Sequence, residues 1–122
     1  MPTTVFSAPA LEFSVVQGAD GSLKPHGLYR GQNVKTALPI EHGAKCVLLL
    51  DGDARLTGSF ENLFCIDRDG NVAWIAPLPT SHDDTFVEIS LGNDGLRAHS
   101  WSCYRLVLDP QSGKVLSEEF TK

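Results

Sequence analysis

A chain of 122 residues is long enough for one domain with its own apolar core, and its 42% hydrophobic and 20% charged residues argue against disorder. The formal net charge of −5 disfavours nucleic acid as a partner, because phosphate binding needs clustered Lys and Arg. The longest unbroken apolar run, about Cys46 to Leu50, is far too short to cross a bilayer. We therefore expect a single domain over residues 1–122 that binds neither nucleic acid nor membrane.

The three cysteines and the N-terminal residues indicate where the protein resides. Cys46, Cys65 and Cys103 share no metal-ligand spacing, and an odd number cannot close a complete set of disulfides. The N-terminus lacks the charged region and the sustained apolar stretch of a signal peptide. No phosphate-binding glycine loop or serine-nucleophile elbow occurs. These features predict a reduced, cytoplasmic protein without a cofactor.

Short runs of apolar residues between clusters of Gly, Asn and Asp predict β-strands joined by tight turns. The predicted strands cover about 11–16, 23–30, 46–50, 54–60, 62–66, 72–76, 85–91, 96–108 and 114–120. One helical turn is predicted from Asn33 to Leu38, ended by Pro39, and residues 77–84 are predicted as a loop. The fold class is therefore all-β: an antiparallel meander that forms a small barrel, sandwich or blade-like stack.

Two segments, 63–74 and 105–116, repeat one pattern: an apolar run, an Asp, a turn with Gly and a second apolar run. Their turn glycines, Gly70 and Gly113, lie about 43 residues apart, the spacing of a propeller blade. The pattern resembles the blade repeat of pyrroloquinoline-quinone-type β-propellers, with Ser117 at the position of the blade tryptophan. A propeller needs about four to eight blades, so a chain of this length is not a complete one.

The second half of the chain also resembles a group of small uncharacterised bacterial proteins. The shared phrases are Trp101-Ser102-x-Tyr104, Leu108-Asp109-Pro110, Ser112-Gly113-Lys114-Val115-Leu116 and Phe120-Thr121-Lys122. Neither resemblance implies an activity, because the propeller likeness is structural and the bacterial group has no assigned function.

The predicted strand 96–108 carries the strongest candidate ligand site. Side chains alternate along a strand, so one face would carry Arg97, His99, Trp101, Cys103 and Arg105, although the strand should bend or break near Ser100 or Ser102. Guanidinium groups and an indole can receive an anionic or aromatic ligand. The alternative is a wet outer face on which arginine stems shield one tryptophan.

Core positions are predicted elsewhere. Trp74 is expected to pack in the core with its indole NH hydrogen-bonded, and Val87, Ile89 and Leu91 are expected to face the core.

A second candidate site is His82-Asp83-Asp84 in the proline-bounded loop. An imidazole beside carboxylates could bind a metal or act as a general base, which would make His82, Asp83 and His99 the centre of a hydrolase or metal-dependent enzyme. The alternative is a solvated loop in which Asp83 or Asp84 caps backbone NH groups. Adjacent residues rarely converge on one ion, so no metal site is expected.

These observations favour a non-enzymatic binding or protein-interaction module. Two alternatives stay open: a binder of a small anionic or aromatic ligand at Arg97, Trp101 and Arg105, and the enzyme centred on His82. Unpaired sheet edges favour a homodimer that pairs them across a two-fold axis.

Overall fold

The computed structural model describes residues 2–51, 61–80 and 84–121, and within these ranges it contains strands and two short 3-10 turns but no α-helix. The strands are β1 (Thr3–Ala8), β2 (Phe13–Gln17), β3 (Leu23–His26), β4 (Val34–Ile40), β5 (Lys45–Leu50), β6 (Leu63–Asp67), β7 (Val72–Ile75), β8 (Phe86–Gly92), β9 (Gly95–Ser100), β10 (Tyr104–Leu108) and β11 (Val115–Phe120). The 3-10 turns are Pro9–Leu11 and Glu41–Gly43. The prediction of an all-β protein is confirmed.

The strands form three antiparallel meanders. The N-terminal sheet has the order β1-β2-β3, the central sheet β4-β5-β6-β7 and the C-terminal sheet β8-β9-β10-β11. In the part of the chain that the structure describes, none of these sheets closes on itself. Of the three predicted forms, a sandwich or stack therefore fits the structure and a barrel does not. Open sheets leave edge strands, among them β11.

The central sheet is covered on both faces. Cys46, Leu48 and Leu50 pack with the N-terminal sheet, whereas Val47 and Leu49 pack with the C-terminal sheet. Because successive side chains of a strand point to opposite faces, a strand buried on both faces must be apolar at nearly every position. This explains the unbroken apolar run in β5, which an amphipathic strand would not contain.

The two repeated segments are both hairpins, β6–β7 and β10–β11. In the first turn, Asp67 Oδ1 accepts hydrogen bonds from the backbone nitrogens of Asp69 and Asn71, each at 2.9 Å. In the second, Asp109 Oδ1 accepts one from the nitrogen of Gln111 at 2.9 Å. The Asp of the repeated pattern, Asp67 or Asp109, thus stabilises its own turn, because its carboxylate accepts hydrogen bonds from backbone NH groups that do not pair between the strands.

Trp74 joins the central and C-terminal sheets by docking the first hairpin on the turn of the second. Its indole Nε1 donates to the Pro110 carbonyl at 2.9 Å, and the side chain is only 8% exposed. The ring lies so close to Gly113 that a Cβ there would stand 2.6 Å from it. The prediction of a core Trp74 with a bonded NH is confirmed, and Gly113 supplies the necessary space.

The predicted helical turn at Asn33 to Leu38 is wrong, because β4 occupies that segment. β4 is an edge strand, where proline is tolerated since one side of the strand has no hydrogen-bonding neighbour. Pro39 therefore lies inside a strand instead of ending a helix. β1 was not predicted, and the predicted strand 54–60 lies outside the described residues. The predicted loop agrees with the structure over residues 77–80.

The cysteines differ in burial, which predicts their reactivity. Cys46 and Cys65 are fully buried and Cys103 is half-buried. Burial raises the pKa of the Cys65 thiol to about 11 and that of Cys46 further still. Only the thiolate reacts, so these two thiols are inert in the folded chain at neutral pH.

We expect one thiol per chain to react rapidly with a maleimide near pH 7.5, and three after denaturation. Cys103→Ser should remove the rapid phase, whereas the matched Cys46→Ser variant should keep it. Mass spectrometry of the labelled chain measures both. Rapid native labelling of Cys46 or Cys65 would contradict the burial of the central sheet.

Candidate functional site

The segment predicted as one strand, 96–108, is a hairpin made of β9 and β10. It breaks at Trp101 to Cys103, where Cys103 adopts a left-handed backbone conformation with φ of +71°. The prediction that segment 96–108 bends or breaks near Ser100 or Ser102 is therefore confirmed. In the hairpin, Arg105 is the register partner of His99, and Val107 is the partner of Arg97. Partners share a face, so three of the four predicted site residues come together on the outer face of the C-terminal sheet.

This outer face contains a groove with a volume of about 420 Å³, which we call the outer groove. Its polar side chains come from β8, the β8–β9 turn, β9 and β10: Glu88, Ser90, Asp94, Arg97, His99 and Arg105. The opposite face of the sheet packs against the central sheet through Leu96, Ala98 and Leu106. The groove is thus rigidly supported from below and open to solvent above.

Arg97 is held in place by its neighbours. Its Nε donates to Asp94 Oδ1 at 3.1 Å, and both side chains are about half-exposed. The guanidinium lies across Gly92, where a Cβ would stand 2.8 Å from its central carbon. A side chain at Gly92 would displace the guanidinium. Because the Nε edge of Arg97 is occupied, its terminal nitrogens, which bond to no described residue, are free for a ligand.

Arg105 is held in a similar way by His99. Its Nε donates to His99 Nε2 at 3.1 Å, so this ring nitrogen acts as an acceptor and the imidazole carries its proton on Nδ1. Within the described ranges, no residue accepts a hydrogen bond from the terminal nitrogens of Arg105. Asp94 and His99 therefore fix the two arginines, and the terminal nitrogens of both guanidinium groups are open to a ligand.

Two carboxylates complete the charge pattern of the groove. Asp94 is paired with Arg97, whereas Glu88, the register partner of His99, forms no hydrogen bond or ion pair with a described residue. The groove thus combines two guanidinium groups with one paired and one free carboxylate. Its formal charge is balanced, in contrast to the acidic chain as a whole.

Trp101, the fourth predicted site residue, does not line the groove. Its side chain is 68% exposed, and its backbone NH donates to the Thr85 carbonyl at 2.7 Å. This bond extends the β8–β9 ladder, so alternation places Trp101 on the outer face, two residues beyond His99. The aromatic part of the predicted site is therefore separate from its charged part.

Asp84 is a buried carboxylate that accepts hydrogen bonds from the β9–β10 turn, which contains Trp101. Its Oδ1 accepts from the backbone nitrogens of Thr85 at 3.0 Å and Ser102 at 3.1 Å. Its Oδ2 accepts from the hydroxyls of Ser102 at 2.7 Å and Thr80 at 2.9 Å. The predicted capping of backbone NH groups is confirmed for Asp84, but this carboxylate is fully buried and not solvated as expected.

A chain of hydrogen bonds continues from Asp84 into β10. Because the Ser102 hydroxyl proton goes to Asp84, Ser100 Oγ must donate to Ser102 Oγ, at 2.8 Å, and it accepts from the nitrogen of Tyr104 at 3.2 Å. The chain fixes the β9–β10 turn. It also commits both serine hydroxyls to a structural network, with no imidazole among the described groups that bond to them.

Asn62, which sequence reasoning did not single out, links the central sheet to the C-terminal sheet. It is fully buried, and its Nδ2 donates to the carbonyls of Leu50 and Phe86, each at 2.8 Å. Its Oδ1 accepts from the nitrogen of Phe86 at 2.8 Å. Every side-chain donor and acceptor position that this buried amide needs is used. An Asn at the start of an apolar run gives no sequence indication of that role.

The second candidate site cannot be assembled from the described residues, because His82 and Asp83 lie outside them. His99, which was grouped with His82, lies in the outer groove and bonds to Arg105. Among the described residues, no group of three or more His, Cys, Asp or Glu side chains could hold a metal ion. In the same ranges, no helix has the length and apolarity to cross a membrane.

Comparison with known proteins identifies the family to which the chain is similar. A family model described as "Domain of unknown function (DUF7957)" matches residues 30–120, which contain β4 to β11. No curated protein and no solved structure matches the chain. The predicted likeness to an uncharacterised family fits this result, whereas the resemblance to propeller blades has no counterpart in it.

Proposed function

We propose that this chain, which belongs to the DUF7957 family of domains of unknown function, is a non-enzymatic binding module that holds an anionic group of a small ligand in the outer groove. One observation carries the proposal: Arg97 and Arg105 are each anchored through Nε, so that their terminal nitrogens lie ready for a ligand. Pre-positioned donors lose little conformational entropy on binding, which favours affinity.

The two arginines are well placed to act on one anion. They are diagonal neighbours on adjacent strands, with backbones roughly 7–8 Å apart, a distance that two arginine side chains easily span. A planar guanidinium forms paired hydrogen bonds with a carboxylate or phosphate, and these are stronger than bonds between neutral groups. A carboxylate in the groove would therefore meet two forked donors.

The imidazole of the groove and the serine hydroxyls near it are already committed to hydrogen bonds with described residues. The Nε2 lone pair of His99 is occupied by Arg105, so that nitrogen is not free to accept a proton from a substrate. Ser100 and Ser102 belong to the network of Asp84, on the opposite side of the sheet from His99 by strand alternation. These contacts support binding without chemistry.

We expect the Arg97→Ala and Arg105→Ala variants each to weaken the binding of succinate or inorganic phosphate at least tenfold, since each removes a charge-assisted contact. Isothermal titration calorimetry or amide chemical shifts would measure the change. Gly92→Ala keeps both arginines but displaces Arg97, so it should weaken binding without changing the net charge. Lys24→Ala, an exposed cation of β3, is the matched control for loss of charge.

Unchanged affinity in both arginine variants would refute the proposal. The protein-interaction role and the homodimer predicted from the sequence stay predictions. The hypothesis of an enzyme at His82, Asp83 and His99 also stays untested, because two of these residues lie outside the described ranges.

A further inference from the structure

We infer that the ligand of the outer groove is a zwitterion, such as an amino acid or a short peptide, that places its carboxylate on the arginines and its ammonium on Glu88. This inference rests on the proposed function. Its basis is that the groove contains groups of both signs whose bonding capacity is unused, and that they lie on opposite sides of His99.

Glu88 is the observation that separates a zwitterion from a simple anion. It lines the groove from β8, its side chain is exposed, and no described residue pairs with it. Asp94, by contrast, is neutralised by Arg97. A small dianion bound to both arginines would lie near the free carboxylate of Glu88, inside a chain with a net charge of −5. Like charges at such short range oppose binding.

The register of the sheet gives the dimensions of the ligand. Glu88, His99 and Arg105 form one row across β8, β9 and β10. Two strand spacings separate the ends of the row, so the backbones of Glu88 and Arg105 are about 10 Å apart. The long side chains of both residues shorten the distance between the charged groups. A free amino acid or a chain of two or three residues fits this span.

The charge balance also favours a ligand that is neutral overall. A zwitterion gains from both arginines and from Glu88 without adding net charge to an acidic protein. A ligand with only a positive charge would be repelled by Arg97 and Arg105, and a ligand with only a negative charge would be repelled by Glu88. Only a ligand with both charges uses all three groups.

The test compares ligands that differ in one charge. Triglycine carries both charges, N-acetyl-triglycine lacks the ammonium and triglycine amide lacks the carboxylate; 4-aminobutyrate and butyrate form the corresponding pair for a single small molecule. We expect the wild-type chain to bind triglycine at least tenfold more tightly than its N-acetyl form, or 4-aminobutyrate at least tenfold more tightly than butyrate, by calorimetry. Whether the peptide or the free amino acid binds more tightly distinguishes the two sources, and either order supports the inference.

Glu88→Gln should reduce that preference to about twofold or less, while binding of the N-acetylated or ammonium-free ligand persists or improves. Glu119→Gln is the matched control, because Glu119 is the partner of Arg105 on β11 in the same row but does not line the groove. It should leave the preference unchanged.

The outcomes separate the two claims. If the anions bind and the arginine variants weaken them, but wild type and Glu88→Gln show the same preference, the zwitterion inference is overturned and the proposed function stands. If neither Arg97→Ala nor Arg105→Ala affects any probe, or if no probe binds, both are overturned.

Discussion

Replacing Asn62 by Asp should lower the free energy of unfolding by about 4 kcal/mol, a large part of the stability of a small domain. The wild-type amide donates to the carbonyls of Leu50 and Phe86 from a fully buried position. A carboxylate of the same shape cannot donate, so two buried carbonyls lose their partner and face a negative charge. Each unsatisfied buried group costs about 1–3 kcal/mol. Urea denaturation followed by tryptophan fluorescence measures the loss.

The pH dependence of the Asn62→Asp variant tests the cause. Surrounded by acceptors, the new carboxyl binds a proton more tightly in the folded chain than in the unfolded one, and the protonated form restores one donor. Its contribution to stability is therefore present at low pH and is lost as the pH rises. The difference in the free energy of unfolding between wild type and Asn62→Asp should shrink as the pH is lowered from about 8 to about 5. Asn93→Asp, at an exposed turn position, is the control and should change stability by less than about 0.5 kcal/mol.

Asp84→Ala should destabilise the chain by about 3–5 kcal/mol. The substitution removes the acceptor of hydrogen bonds from two backbone nitrogens and two hydroxyls, and it leaves these donors in a site with little access to water. A buried NH without an acceptor is costly because it has already given up its bond to water. Denaturation curves and amide hydrogen exchange of the β9–β10 turn both report the change.

Two variants sharpen the Asp84 experiment. Asp84→Asn should cost clearly less than Asp84→Ala, because one amide oxygen remains and the hydroxyls of Thr80 and Ser102 can turn to accept from the amide. Thr85→Val is the matched neighbour, since Thr85 Oγ1 is buried without a hydrogen-bond partner in the described part of the chain. Removing an unused hydroxyl should leave stability unchanged or raise it. Equal losses in all three variants would show that local packing, and not the carboxylate, stabilises the turn.

The strands that the sequence predicts best are those with turn residues on both sides. β6 and β7 were predicted because an apolar run meets a Gly turn and a second apolar run. β4 was missed because Pro39 suggested the end of a helix, and only the pairing with β5 shows that the segment is an extended edge. The conformational preferences of neighbouring residues predict turns well. They cannot show which strand lies at the edge of a sheet, where one side has no hydrogen-bonding neighbour.

The buried face of β8 shows a second limit of sequence reasoning. Alternation predicted Val87, Ile89 and Leu91 toward the core, but a bulge between Phe86 and Glu88 shifts the register. Phe86 is buried instead of Val87 as a result, whereas Ile89 is buried as predicted. Leu91 follows the bulge, beside the β8–β9 turn, and is exposed. An extra residue in one strand reverses the faces before it, and no local pattern marks its position.

The charged groove was predictable for a simple reason, whereas the buried polar groups were not. Arg97, His99 and Arg105 share a face both in a continuous strand and in the observed hairpin, so their common face did not depend on where the strand breaks. Asp84 and Asn62 depend on partners that lie 18 and 24 residues away. Their importance arises from contacts between sheets, which a single sequence does not reveal.

The central sheet, covered on both sides, separates the boundaries of the family from the boundaries of the folding unit. The family match begins at residue 30, after the N-terminal sheet has ended. Yet that sheet shields Cys46, Leu48, Phe64 and Ile66, on one whole side of the most apolar strands in the protein. A fragment cut at residue 30 would keep the outer groove but expose the apolar side chains of β5 and β6 to solvent. We expect such a fragment to aggregate. The segment that the family model matches therefore has one apolar face that is covered only by the N-terminal sheet, which lies outside the match.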